Sequence, residues 1–98
     1  MEAEMKFIVQ WKGLPSTQNP AVERFLETGG RPPDNVKLLG RWHTIGELSG
    51  VAIVEATDAS GLAQWVLQWG DLFSFTNAPA LSDEELGAVL SAHRAASK

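Results

Sequence analysis

Four polar side chains stand in or beside strand-like segments of this sequence: Gln10, Arg41, His43 and Glu55. An imidazole serves as base, proton relay or metal ligand near neutral pH. His43 is the histidine near sheet-like sequence, whereas His93 falls in a helix-like terminal segment and reads as structural or surface. Glu55 interrupts the apolar run Val51 to Ala56. A carboxylate there must reach solvent or find a donor, because unpaired burial is costly, and Arg41 and His43 are the donors in view. His43 and Glu55 are therefore the candidate catalytic pair, with Gln10, Arg41, Trp42, His43 and Glu55 as candidate ligand contacts and Asn77 as a further neutral hydrogen-bonding group. Each has a plainer reading. His43 can bond a loop carbonyl, and Glu55 can belong to a structural ion pair, since perturbed carboxylates occur in both roles.

The chain has four tryptophans. Trp65 and Trp69 fit the buried stripe of a helix, while Trp11 and Trp42 sit at strand ends, where amphipathic rings line rims, core edges or subunit contacts. No glycine-rich phosphate loop, HExxH, calcium loop or nucleophile-elbow pattern occurs, so these signatures supply no reaction class. A metal site would need the two distant histidines plus a carboxylate; no residues stand out as metal ligands or cofactor contacts, and the identity of any cofactor is left open.

The elements that must position these groups follow from periodicity and caps. Met5, Phe7, Val9 and Trp11 alternate with Lys6, Ile8, Gln10 and Lys12, the period of a strand with one buried face. Asn19 is read as the cap of a first helix over about Pro20 to Thr28, with Val22, Phe25, Leu26 and Ala21 inward and Gly29 as its left-handed stop. Two adjacent prolines, Pro32 and Pro33, then force an extended connection into a second strand, Val36 to His43. Strict alternation there puts Leu38, Gly40 and Trp42 on one face and Lys37, Leu39, Arg41 and His43 on the other, and leaves the face of Glu55 open. Val51 to Ala56 reads as a central strand covered on both faces. Asp58 caps a second helix, about Ala59 to Trp69, with Leu62, Trp65, Val66 and Trp69 inward and Gly70 at its end. Leu72 to Pro79 is a fourth strand, with Pro79 marking an edge or end. Ser82 and Glu85 form a capping box for a terminal helix whose apolar face is Leu86, Val89, Leu90 and His93.

This order predicts one α+β domain over residues 1–98, of ferredoxin-like βαββαβ type with an antiparallel four-stranded sheet and an extra C-terminal helix, frayed at 1–4 and 95–98. Two crossover helices cover one sheet face and leave the other bare. Apolar residues on both faces of the strands therefore predict a homodimer pairing through the sheet face, a dimeric α/β barrel with a sheet-lined cavity.

Composition narrows the function classes. The chain has 98 residues, a formal charge of −4 and no cysteine. That net negative charge opposes attachment to phosphate backbones or anionic membranes, and the basic residues are scattered rather than gathered in a run. Lack of cysteine removes disulfides and thiolate chemistry and fits a reducing compartment; no stretch has membrane-spanning length or a signal-peptide pattern, and cytoplasm is the expectation. RNA recognition shares the βαββαβ order but stacks bases on aromatic residues of the first and third strands, and Val51 to Ala56 has none.

The segments Lys6-Phe7-Ile8-Val9-Gln10-Trp11-Lys12, Val22-Glu23-Arg24-Phe25-Leu26-Glu27-Thr28-Gly29 and Val36-Lys37-Leu38-Leu39-Gly40-Arg41-Trp42-His43 resemble a small bacterial family of uncharacterised domains. The resemblance continues through Val54-Glu55 and the tryptophan-bearing helix to Ser82-Asp83-Glu84-Glu85. It implies the architecture of dimeric α/β-barrel proteins, a group that spans cofactor-free monooxygenases, haem-handling enzymes and non-catalytic stress proteins, so it implies no single chemistry. Two expectations follow: a small apolar molecule bound or transformed in a sheet-lined cavity, or a non-catalytic dimeric accessory protein whose interface is filled.

Overall fold

The computed structural model describes residues 4–97. Alternating apolar residues make β1 (Met5–Gly13), which sits inside a four-stranded sheet with β2 (Val36–His43), β3 (Ser49–Ala56) and β4 (Phe73–Ala80). The strand order is β2-β3-β1-β4 and every pairing is antiparallel. Helices α1 (Gln18–Thr28) and α2 (Ala59–Trp69) are the two crossovers, and α3 (Asp83–Ala96) follows β4. The fold is the α+β, ferredoxin-like arrangement that the order of elements predicts. Pro79 lies in β4, an outer strand, where its missing N–H interrupts no ladder on the solvent side.

Phe7 and Val9 of β1, Ala52, Val54 and Ala56 of β3 and Val36 of β2 form the sheet's contribution to the core, and α2 covers them with Leu62, Trp65 and Trp69. Each of these large side chains stabilises the fold by roughly 1.5–3 kcal/mol on leaving water. Asp58 caps α2 by accepting a hydrogen bond from the Ser60 N–H at 2.9 Å. Gly70 remains right-handed at the end of α2 (φ −66°), so it is not a left-handed stop.

Helix α1 departs from its sequence reading. A 3₁₀ turn, Pro15–Thr17, feeds directly into Gln18, and Thr17 rather than Asn19 occupies the cap position. Of the predicted inward stripe only Ala21 is buried, and Leu26 is 78% exposed. The helix stands off the sheet, and Val22, Phe25 and Leu26 instead border a cavity beneath it. Polar clasps hold it in place. Arg24 donates both terminal nitrogens to Asp71 Oδ1 and Oδ2, each at 2.8 Å, donates to the Gln68 carbonyl at 2.9 Å, and stacks on Trp69 at 5.3 Å. Gly29 and Gly30 both take positive φ, 71° and 60°, and so end the helix in a conformation that costs a side-chain-bearing residue about 1 kcal/mol.

Strand β2 holds a second departure. A bulge between Leu38 and Gly40 lets Leu38 pair with Val54 and Gly40 with Ile53, the next residue along β3. Leu39 is the extra residue, and alternation changes phase across it. Val36, Leu38, Arg41 and His43 consequently oppose Ala56, Val54, Ala52 and Gly50 on the helix-covered face, while Lys37, Gly40 and Trp42 oppose Glu55, Ile53 and Val51 on the open face. The unbroken grouping expected from sequence is corrected by this bulge.

Nothing in the described chain covers the open face. Ile8, Val51 and Ile53 are half-buried there, and Trp42 is 62% exposed with its indole laid across Gly40, where a Cβ would come within 2.5 Å of the ring. The expected two-sided burial of β3 is therefore met on one side only. Helix α3 begins with the predicted capping box, Glu85 N–H to Ser82 Oγ at 3.2 Å and Ser82 N–H to Glu85 Oε1 at 2.8 Å. It runs through Ala96 without a buried residue, and Leu86, Val89 and Leu90 are exposed. The radius of gyration, 16.2 Å, exceeds the roughly 13 Å of a compact chain of this length. The fraying expected at 1–4 and 95–98 falls partly outside the described residues.

Candidate functional site

A half-enclosed cavity of about 310 Å³ opens between α1, α2 and the helix-covered face of the sheet. Six rings wall it: Trp11, Phe25, Trp65, Trp69, Phe73 and Phe75. They come from four elements. Trp11 and Phe75 are cross-strand partners, Phe73 meets Phe75 edge to face at 6.1 Å, and Trp69 lies 5.8 Å from Phe73. Such aromatic contacts hold their rings in fixed mutual orientations.

The polar groups on this wall come mainly from β2 and the loop after it. Arg41 donates from Nη1 to the Gly30 carbonyl at 2.7 Å and from Nη2 to the Gly29 carbonyl at 3.0 Å, with its guanidinium over Phe25 at 5.1 Å. It thereby caps the negative end of α1, and burial pushes its proton affinity below that of an ordinary guanidinium. His43 is wedged edge-on between Trp11 at 5.8 Å and Phe25 at 5.6 Å. Glu47 also borders the cavity and accepts from Ser49 Oγ at 3.0 Å. Trp65 is only 7% exposed, and its Nε1 has no hydrogen-bond partner among the described residues. A buried donor left in that state costs about 1–3 kcal/mol.

The five ligand-contact residues expected from sequence divide between the two faces. Arg41 and His43 reach the cavity, whereas Gln10, Trp42 and Glu55 belong to the open face, where Gln10 and Trp42 both oppose Val51. Glu55 meets neither Arg41 nor His43. Its Oε2 lies 3.4 Å from Lys6 Nζ, which also reaches Glu85 Oε1 at 3.1 Å and so ties β1 to both β3 and the start of α3. Hydrogen bonding with Glu4 draws the Glu55 carboxyl below its usual range and raises that of Glu4. The Ser82 backbone N–H does most to lower Glu85. Asn77 opposes Val9 and is exposed at the sheet edge. Among the described residues no group of three or more His, Asp or Glu side chains is arranged to hold a metal.

Sequence reasoning assigned Trp65 and Trp69 to the core, and they are buried; that they also wall a cavity with Phe73 and Phe75 was missed. The available signal was the aromatic spacing in α2 and β4, which is the same for a filled core as for a lined one.

The fold and this cavity define a ferredoxin-like α+β protein with an aromatic pocket between its helices and its sheet. The chain belongs to the family described as domain of unknown function DUF3303, whose model matches residues 5–94. No curated protein matches the sequence. Among solved structures, it is similar to an uncharacterized NIPSNAP-like domain protein from Burkholderia xenovorans, at 17% identity over 84% of this chain and 87% of that chain, with a TM-score of 0.53. That likeness carries the fold. SnoaB, a cofactor-independent oxygenase from Streptomyces nogalater, aligns at 18% identity over 84% of this chain and 94% of that chain, with a TM-score of 0.40, too distant to carry a functional reading. No helix of the described chain is long and apolar enough to cross a membrane.

Proposed function

We propose that the chain binds a small, ring-bearing apolar molecule in the cavity under α1. The observation that carries this reading is the cavity itself: about 310 Å³, bordered by six aromatic rings and few polar groups, within the size and character of small-molecule sites. His43, whose ring no hydrogen bond among the described residues engages, is the proton carrier in this reading. A non-catalytic accessory protein without a pocket is the less favoured alternative.

A second copy of the chain covers the open sheet face in this proposal. Trp42, Ile8, Val51 and Ile53 support it, since they make an apolar strip with no cover among the described residues. The ligand site then lies within each subunit, on the far side of the sheet from the contact. The acidic, cysteine-free composition suits the cytoplasm.

Titration with a neutral ring probe, 2-naphthalenemethanol, tests the site through quenching of tryptophan fluorescence. Saturable quenching is expected, and Val22→Trp, which fills the cavity from an exposed position on α1, should abolish it. Quenching that never saturates, or that survives this substitution, rejects the site.

A further inference from the structure

The cavity holds more hydrogen-bond donors than its own acceptors use. Arg41 is donor-only and directs two N–H groups to backbone carbonyls. Among the described residues no carboxylate lies within ion-pair distance of it, in contrast to Arg24, which has Asp71, and Lys6, which has Glu55 and Glu85. A partly buried cation ordinarily has an anionic partner, and the C-terminal dipole of α1 supplies only a fraction of a charge. The indole N–H of Trp65, more than nine-tenths buried on the same wall, is a donor with no acceptor among the described residues. His43 adds an imidazole on the same face of the same strand, two residues from Arg41. The opposing feature is Glu47, an exposed carboxylate already bonded to Ser49.

We infer that the ligand is a planar ring carrying an oxyanion, an aryl carboxylate or phenolate, with its rings among the aromatic side chains and its anionic oxygen at Arg41 and His43. This rests on the binding site proposed above. The rings of Trp11 and Phe25 flank His43, so a flat ligand entering beside them brings a peripheral oxygen to the imidazole and the guanidinium together. Charge-assisted bonds of this kind are about twice as strong as neutral ones, and the apolar walls reduce competition from water.

Three probes of one ring system separate the possibilities in the unmodified protein: 2-naphthoate, 2-naphthalenemethanol and 2-naphthylmethylammonium. Naphthoate is expected to bind about tenfold or more tighter than the alcohol, and the ammonium more weakly than either. In Arg41→Gln the preference for naphthoate over the alcohol should fall towards unity; His43→Gln should reduce it in part. Equal affinity for the three probes, or tightest binding of the ammonium, overturns the oxyanion assignment and leaves the site standing. Binding of none rejects the site and this inference with it. Arg41 also caps α1, so if Arg41→Gln does not fold the comparison in the unmodified protein still decides.

Discussion

Alanine at Gly29 and alanine at Gly30 impose the same backbone penalty in different surroundings. Both glycines adopt left-handed φ, and placing a Cβ there costs about 1 kcal/mol. At Gly29 the nearest atoms to an added Cβ are in the Arg31 side chain at 3.7 Å or more, ordinary contact. At Gly30 the Cβ would stand 3.0 Å from both Arg41 Nη1 and Phe25 Cδ2. Those groups must yield, and crowding adds about 1–2 kcal/mol, towards the lower part of the range for overpacked sites because both are side-chain ends. The expected losses are about 1 kcal/mol for Gly29→Ala and about 2–3 kcal/mol for Gly30→Ala. For a chain of this length they lower the melting temperature by roughly 5 °C and 10–15 °C. Urea denaturation followed by circular dichroism measures both. Gly30→Ala should also weaken naphthoate binding by displacing Arg41, and Gly29→Ala should not. Equal losses, or a milder effect at Gly30, would refute the proposed packing of Arg41 and Phe25 against the end of α1.

The clasp on α1 is sensitive to acid. Arg24 holds the Asp71 carboxyl below its usual 3.8, so its contribution to stability is complete above that pH and is lost as pH falls through the lower folded-state value. The stability difference between the unmodified protein and Asp71→Asn should therefore narrow below about pH 3.8; a difference that stays constant from pH 6 to pH 2 would contradict the clasp. Ser82→Ala removes one half of the capping box, at about 1 kcal/mol. Because α3 buries nothing, this should appear as faster amide exchange at the start of α3, with the global melt little changed. Trp42→Lys should convert a sheet-paired dimer to monomer in sedimentation while cavity binding persists, and a dimer that survives it places the contact elsewhere.

Much of this architecture was legible because its signals are local. The alternation from Met5 to Trp11, the caps at Asp58 and Ser82 and the left-handed Gly29 depend on near neighbours in the chain. The start of α1 was displaced because the turn at Pro15–Thr17 already supplies helical geometry before Asn19. Arg41 and His43 were recognisable as polar groups in a strand, but their separation from Gln10, Trp42 and Glu55 depends on how β2 pairs with β3. Glu55 has a partner, Lys6, directly across the ladder, which only the register discloses. The aromatic wall draws on β1, α1, α2 and β4, and no short segment announces such a convergence.

The bulge at Leu39 makes the choice of chemistry a matter of backbone pairing. The same residues admit a competing alignment in which Leu39 is absorbed into the ladder and the rest of β2 slides by one position. That slip would exchange the two sides of the strand, turning the indole of Trp42 towards the cavity and sending the guanidinium and imidazole to the open face. Deleting Leu39 removes the choice: Leu38 and the former Gly40 become consecutive opposite Val54 and Ile53, the pairs they already form. A chain shortened in this way should keep its preference for naphthoate, because the missing residue was only a spacer that keeps Arg41 and His43 in phase with the cavity.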